Sequence, residues 1–283
     1  MQAVILAYHS HHMEGAGYAS NDHVALAQDL ELIVASGFDI VPLGELVDAF
    51  DMMKQDGKAA GGRARRLVAI TFDDGPEYDA VDYRHPTLGL QRSFLRILED
   101  FSRSGPGRAR ACATSFVIAS PEARTAMESL TGAGPYSLHS GAMNDRWWSS
   151  AIDSGYLSIA NHSWDHLHPG LARVAHSRQA RADFSQVDNV ADADAQVLAA
   201  QRYIDERTGG RAAPFFAYPF GQYNAFLTGE YFASNTVQLG LRAAFTVDGR
   251  PVRTHEDVWT LPRYSCGYNW TTPAQLLEIL KAA

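Results

Sequence analysis

Cysteine is nearly missing from this chain, and the two it has, Cys112 and Cys266, stand far apart and outside any Cys-x-x-Cys pair. A disulfide framework and a thiolate metal site are thereby excluded, and both residues read as small buried apolar side chains. Long apolar runs are missing as well: no stretch approaches the roughly 20 residues that a membrane-spanning helix needs. Positive charge is in deficit. Lys and Arg number 24 against 32 Asp and Glu, a net charge of −8 with a pI near 5.7. No basic stripe therefore offers itself to nucleic acid or to an anionic membrane, and a neutral or cationic partner fits better. The start, Met1–Gln2–Ala3–Val4–Ile5–Leu6–Ala7–Tyr8–His9, has neither a basic n-region nor a small-residue cleavage site. It reads as a first strand, and a chain without an export signal is expected in the cytoplasm. Internal repeats and low-complexity tracts are absent too.

What is present is globular: 46% hydrophobic and 20% charged residues can build a substantial core, and a single domain spanning 1–283 is expected. Strand and helix patterns alternate along the chain. Ala3–Tyr8 reads as a strand, followed by a helix capped by Asn21 or Asp22 with Leu26, Leu30, Ile33 and Val34 on one face and Gly37 as its stop. Phe38–Pro42 is a short strand; Leu46, Val47, Phe50 and Met53 mark a second helix; Gln55–Arg66 is a solvated loop. Leu67–Phe72 is an apolar run fit for a strand buried on both faces, as parallel sheets require.

Further on, Leu90, Phe94, Ile97, Leu98 and Phe101 predict a helix, broken at Gly105–Pro106–Gly107. Cys112–Ala119 is a strand, Pro121–Leu130 a helix, Gly132–Pro135 a loop and Asp145–Ser154 a helix stopped by Gly155. Tyr156–Asn161 is a strand, Val187–Arg207 a long helix, and Pro214–Tyr218 a strand. A helix near Leu227–Leu239, strands near Arg242–Val247 and Val258–Arg263, and a helix Pro273–Lys281 capped by Thr272 complete the chain. This alternation predicts an α/β fold, a parallel sheet of seven or eight strands closed into a (β/α) barrel, with an open doubly wound sheet as the rival. The barrel is preferred because His9, Asp73, Asp74, His162 and the turn Pro219–Phe220–Gly221 all fall just past the carboxyl ends of separate strands. In a barrel those ends share one mouth.

Two adjacent carboxylates at a strand tip need an explanation, because like charges repel and are costly to desolvate unless they divide a task or share a cation. A catalytic divalent ion wants three protein ligands and an open position, and one Asp with two His is a common set. Asp74, His162 and His166 supply it, the His-x-x-x-His spacing placing both imidazoles on one side of a turn or helix.

These residues also resemble a family. Thr71–Phe72–Asp73–Asp74–Gly75 and His162–Ser163–Trp164–Asp165–His166 are similar to the first two motifs of the polysaccharide deacetylases, the NodB-homology or carbohydrate esterase family 4 enzymes. Leu6–Ala7–Tyr8–His9, Ala217–Tyr218–Pro219–Phe220–Gly221 and Leu261–Pro262–Arg263 resemble the subgroup of poly-β-1,6-N-acetylglucosamine deacetylases. The resemblance implies a deformed, NodB-like (β/α) barrel, a divalent metal that is usually zinc, and metal-dependent hydrolysis of the N-acetyl amide of an amino sugar or oligosaccharide. By position it implies Asp74, His162 and His166 as metal ligands, Asp73 as general base, and the backbone N–H of Phe220 as an oxyanion donor. The leaving amine needs an acid; the late Leu-x-His motif that usually provides one is not found, and His9 resembles that acid in permuted position. His11, His12, His139 and His168 are further candidates.

Many family members carry Arg where this chain has Ala217, and Arg263 is nominated as the residue that orients Asp73. Tyr218 and Trp164, which sit inside the motifs, lead the aromatic candidates for sugar contact, with Pro219 in the same turn; Trp147, Trp148, Tyr223 and Trp270 follow. Two other readings stand beside this one: an amidohydrolase acting on a non-sugar linear or cyclic amide, and a catalytically silent glycan-binding relative.

Overall fold

The computed structural model describes residues 2–56, 65–104, 110–130 and 138–283. Most of the expected loop Gln55–Arg66, and the breaks at Gly105–Gly107 and Gly132–Pro135, lie outside them. In chain order the elements are β1 (Gln2–Tyr8), α1 (Asp22–Ala35), β2 (Asp39–Ile40), α2 (Leu43–Asp56), β3 (Arg66–Phe72) and the hairpin of β4 (Tyr83–His85) and β5 (Gly89–Gln91). Then come α3 (Phe94–Arg103), β6 (Ala113–Val117), α4 (Pro121–Leu130), α5 (Trp148–Ser154), β7 (Leu157–Asn161) and α6 (Val190–Ala193), which runs through a π-turn into α7 (Ala199–Thr208). Finally β8 (Phe215–Ala217), α8 (Phe232–Leu239), β9 (Ala243–Phe245), β10 (Tyr264–Ser265) and α9 (Pro273–Ala282) follow.

The strands form one parallel sheet in the order β10-β1-β3-β6-β7-β8-β9, with β2 on the amino-terminal half of β3. β1 and β3 pair over their whole length, Gln2 opposite Arg66 and Tyr8 opposite Phe72. Their side chains alternate between two cores, which is why both runs are almost wholly apolar. Ala3, Ile5, Leu67 and Ala69 meet Phe116, Ala160, Ala217 and Phe245 in one cluster, while Val4, Leu6, Tyr8, Val68, Ile70 and Phe72 pack outward against α1, α3 and α9. Each fully buried aliphatic or aromatic side chain contributes about 1.5–3 kcal/mol.

The sheet curls until its two ends share one segment. Leu261 bridges Phe245 of β9, and three residues later Tyr264 pairs with Leu6 of β1. The deformed barrel expected from the alternation is therefore the observed architecture, and every parallel strand delivers its carboxyl end to the same side.

Four boundaries differ from expectation, each for a local reason. Leu90 lies not in a helix but in β5, 58% exposed, because α3 starts only where the Ser93 hydroxyl accepts from the Arg96 N–H. The helix expected from Val187 begins at Val190, where the Asn189 side chain caps it by accepting from the Asp192 N–H. Asp145 lies outside α5; its carboxylate is taken by Arg124 and Tyr203. Val258–Thr260 is a 3₁₀ turn capped by Asp257 in place of a strand.

Candidate active site

The turn after β3 is built so that two neighbouring carboxylates point apart. Asp73 still belongs to the ladder, its N–H bonding Tyr8 O at 3.1 Å. Asp74 then adopts φ +73°, the left-handed region that costs a non-glycine residue energy, and Gly75 repeats φ +73°. A Cβ on Gly75 would lie 2.5 Å from Val117 Cγ1 and 3.0 Å from Val117 Cα, so only glycine lets the chain turn this close to β6.

The histidine pair is presented by a turn, not by a helix. Ser163 (φ +72°) and His166 (φ +59°) are both left-handed. Side chains hold that turn from within: Asn161 Oδ1 accepts from Ser163 N–H at 2.8 Å, Ser163 Oγ from His166 N–H at 3.0 Å, and Asp165 Oδ1 from Leu167 N–H at 2.9 Å.

Asp74, His162 and His166 converge, each offering one ligand atom, all within 4.8 Å of one another. His162 Nε2 and His166 Nε2 stand 3.7 and 3.8 Å from Asp74 Oδ1. Those separations exceed a hydrogen bond, so the three atoms face one another across a gap. Two imidazoles and a carboxylate around such a gap are the donor set of a divalent-ion site of zinc type. His162 Nδ1 bonds Ala217 O at 2.9 Å, which fixes that ring's orientation and leaves Nε2 as the inward nitrogen. His166 Nδ1 is buried and has no hydrogen-bond partner among the described residues. The residues present therefore fit such an ion.

The electrostatics point the same way. Burial, and after it the neighbouring His162, push His166 down to about 3, so this imidazole is neutral, the state a ligand needs. Burial alone would raise the Asp74 carboxyl, but the imidazoles around it, His11 first and then His166, bring it below its usual value. His11 Nε2 lies 3.7 Å from the other Asp74 oxygen and is itself pushed down to about 4 by burial.

Asp73 has a different partner. Arg263, fully buried, grips both of its oxygens, Nη1 to Oδ1 at 2.7 Å and Nη2 to Oδ2 at 2.8 Å. The guanidinium is held in turn by Thr71 Oγ1 at 3.0 Å and Thr246 O at 3.1 Å, with its Cζ 5.3 Å from the Phe116 ring centre. Burial works against the Asp73 charge; the Arg263 guanidinium overcomes it and holds the carboxyl well below the ordinary range. The expected guanidinium thus comes from the segment that closes the sheet. Ala217 sits in the interior cluster and contributes only its carbonyl, to His162.

A third wall is the turn after β1. His9, His11 and His12 line the same open cavity of about 640 Å³ as Asp73, Asp74 and the histidine pair. Ser10 anchors the turn beneath them: its hydroxyl donates to Asp79 Oδ1 at 2.5 Å, and its carbonyl is bonded to the His23 ring at 2.7 Å. Asp79 is pushed up to about 7 by burial, which outweighs its bonds from Ser10 and Ser115. Asp22 grips the turn through its carboxylate.

Other nominated residues take the following places. Phe220, left-handed at φ +58° and 44% exposed, stands on the cavity wall, its ring edge-to-face with that of His166 at 4.3 Å between centres. Tyr218 lines the cavity but is buried, its hydroxyl spent on Trp259 O. Pro219, also buried, starts the 3₁₀ turn that carries Phe220. Trp164 is not on the wall, since its ring packs edge-on to Tyr203. Trp147, Trp148 and Trp270 are core residues, the last donating to Asp29, and Tyr223 lies tilted against Tyr218. His168 lines the cavity, whereas His139 packs against Tyr78 and Tyr83 away from it. Sequence reasoning missed Asp22 as a site residue and Gly267–Tyr268 as cavity wall. The sequence carries no signal for Asp22, because Asn21 and Asp22 are equally able to cap α1 and only the structure shows Asn21 doing so.

Comparison with known families matches residues 60–244 to the polysaccharide deacetylase model. This chain belongs to the polysaccharide deacetylase family. Membership places it among hydrolases that deacetylate sugars. No curated protein matches the chain. Among solved structures, the deacetylase PplD of Streptococcus pyogenes, in complex with acetate, is similar at 17% identity and a TM-score of 0.61, covering 99% of this chain and 98% of that one. IcaB from Ammonifex degensii aligns at 16% identity and 0.61, over 99% and 97%. The BpsB deacetylase domain of Bordetella bronchiseptica aligns at 17% and 0.57, over 94% and 96%. At such identities these structures speak for the fold of the deacetylase. Among its described residues, no helix is long and apolar enough to cross a membrane.

Proposed function

We propose that this deacetylase hydrolyses the N-acetyl amide of an amino sugar or oligosaccharide, with a divalent ion, zinc by choice of donors, held by Asp74, His162 and His166. When bound, the ion would polarise the acyl oxygen and acidify a water molecule. Asp73 takes the proton from the attacking water; Arg263 keeps its carboxylate ionised and aimed, while lowering its basicity. The Phe220 N–H donates to the oxyanion as charge develops on the former carbonyl oxygen. His9, across the same cavity, delivers a proton to the departing amine.

The observation that carries this reading is the division of labour in one pair of residues. Asp74 faces two imidazoles across a ligand-sized gap, and its neighbour Asp73 faces a guanidinium. A neutral, sugar-like substrate fits the lining, which contains no Lys or Arg among the described residues. The test is acetate release from N-acetylglucosamine oligomers by metal-loaded protein, before and after chelation, with elemental analysis of the same samples. Release that stops on chelation and returns with zinc is expected. Bound metal without acetate from any amino sugar sinks the reading and favours a non-sugar amide.

A further inference from the structure

Asp22 opens α1, yet that helix has no need of its carboxylate. The cap is Asn21, whose Oδ1 accepts from His23 N–H at 2.9 Å. Asp22 is nonetheless 1% exposed, and a buried carboxylate is costly unless its oxygens are met by donors. Two donors come from the histidine turn, and the Cys266 thiol is a third. Oδ2 accepts from the His9 N–H at 2.8 Å, and Oδ1 is bonded by His12 Nδ1 at 2.7 Å.

Two backbone bonds close the figure, His12 N–H to His9 O at 2.9 Å and Asp22 N–H to His12 O at 3.1 Å. Three bonds thus lock residues 9 to 12 to the first residue of α1, and the fourth closes the turn on itself. The pairing also fixes a tautomer, because Oδ1 can only accept: His12 carries its proton on Nδ1, leaving Nε2 as the free nitrogen, 3.9 Å from Glu14 Oε1 at the cavity rim.

We propose that Asp22 is a positioning residue of this site, fixing the His9–His12 turn so that His9 presents its imidazole to the cavity that holds Asp73 and Asp74. The kinetic half of this inference rests on the proposed hydrolysis, with His9 as proton donor; the geometric half does not. The titratable groups that face the turn are Asp22 and His23 from α1, Asp74 and Asp79 from the segment after β3, Glu14 and the ring of His11 from the turn's own segment, and Cys266 from the turn after β10. Of these, the Asp22 hydrogen bond dominates His12 and raises it above the ordinary histidine value, burial opposing.

The experiment compares metal-loaded parent with Asp22→Asn and Asp22→Ala. The Asn variant keeps shape and can still accept from His9 N–H, but it presents an N–H₂ or a single oxygen where two acceptors are required. We expect kcat to fall about 10-fold in the Asn variant and about 100-fold in the Ala variant, the scale of a misplaced catalytic group, with KM and bound metal within about twofold. Proton NMR of the His12 ring should show a midpoint above the ordinary histidine value in the parent and a lower one in Asp22→Asn. A variant that loses thermal stability but keeps kcat and the His12 midpoint makes Asp22 a structural acid and overturns the inference. Should Asp22→Ala fail to fold, the Asn variant decides. If the parent releases no acetate, the proposed function falls, and an ordinary His12 midpoint in the parent would overturn the inference independently.

Discussion

Replacing Arg263 by Met is the sharpest test of how this site is held together. Arg263 is fully buried and Asp73 is 4% exposed, and the pair is joined by two charge-assisted bonds of 2.7 and 2.8 Å. Met keeps an apolar stem against Phe116 but leaves the carboxylate with no counter-charge. Breaking a buried ion pair from one side costs about 3–5 kcal/mol, and the lost bonds to Thr71 and Thr246 fall within that figure. Against a domain stability of about 5–15 kcal/mol this is a large fraction, so folding should be visibly weakened in urea. Removing the charge from the other side as well should recover much of the loss. Asp73→Asn with Arg263→Met is expected to be at least about 2 kcal/mol more stable than the sum of the single changes, the coupling expected of residues in direct contact. Turnover of Arg263→Met should drop by about 100-fold through misplacement of the base, with metal content retained. A single-variant cost below about 1 kcal/mol, or strict additivity in the cycle, would refute the argument that Arg263 is what allows Asp73 to stay charged in the interior.

Three further outcomes follow from the same structure. Asp74→Ala is expected to lose bound zinc and activity together, whereas Asp73→Asn should keep the metal and lose about 10²–10⁴ in kcat; elemental analysis beside acetate release separates them, and an active Asn variant removes Asp73 as base. Gly75→Ala combines a left-handed φ with a clash at the Val117 backbone and should cost about 1–3 kcal/mol, only partly relieved by Val117→Ala; an unchanged melting curve would show that the turn can relax. Asp29, which accepts from Tyr8, Tyr18 and Trp270, is raised to about 6 by burial. A raised folded value means its contribution is full below the ordinary carboxylate range and is lost as pH rises through about 6. Relative to the parent, Asp29→Asn should therefore gain about 1 kcal/mol between pH 5 and 8; parallel stability curves would contradict this.

Much of the site was legible because its parts announce themselves locally. An apolar run ending in Asp73–Asp74–Gly75 can be read from ten residues, and the His162–His166 spacing from five. Barrel closure was legible for the same reason, since each reactive residue follows a recognisable strand. What escaped is whatever depends on partners distant in the chain. Arg263 could be nominated, but its grip on Asp73 spans 190 positions and leaves no periodic trace. Trp164 and Tyr218 look like sugar platforms on paper because the motif exposes them in sequence; in three dimensions Tyr203 and the Trp259 carbonyl claim them. The Val258–Arg263 run has strand-like residues, yet Asp257 caps a turn there and only its end joins the sheet. Asp22 was passed over because an acid at a helix start has an ordinary use, and only the structure shows Asn21 performing it.

The segment from Leu261 to Ser265 is where the sheet meets itself, and it is also the carrier of Arg263. Ring completion and the placing of a guanidinium on Asp73, the proposed base, are therefore coupled. A nascent or nicked chain that has laid down β1 through β9 owns every proposed metal ligand and still cannot stabilise a charged Asp73. On the proposed mechanism, full hydrolytic competence therefore depends on the residues that seal the barrel. Full activity, on the proposed mechanism, is in that sense a report on topology.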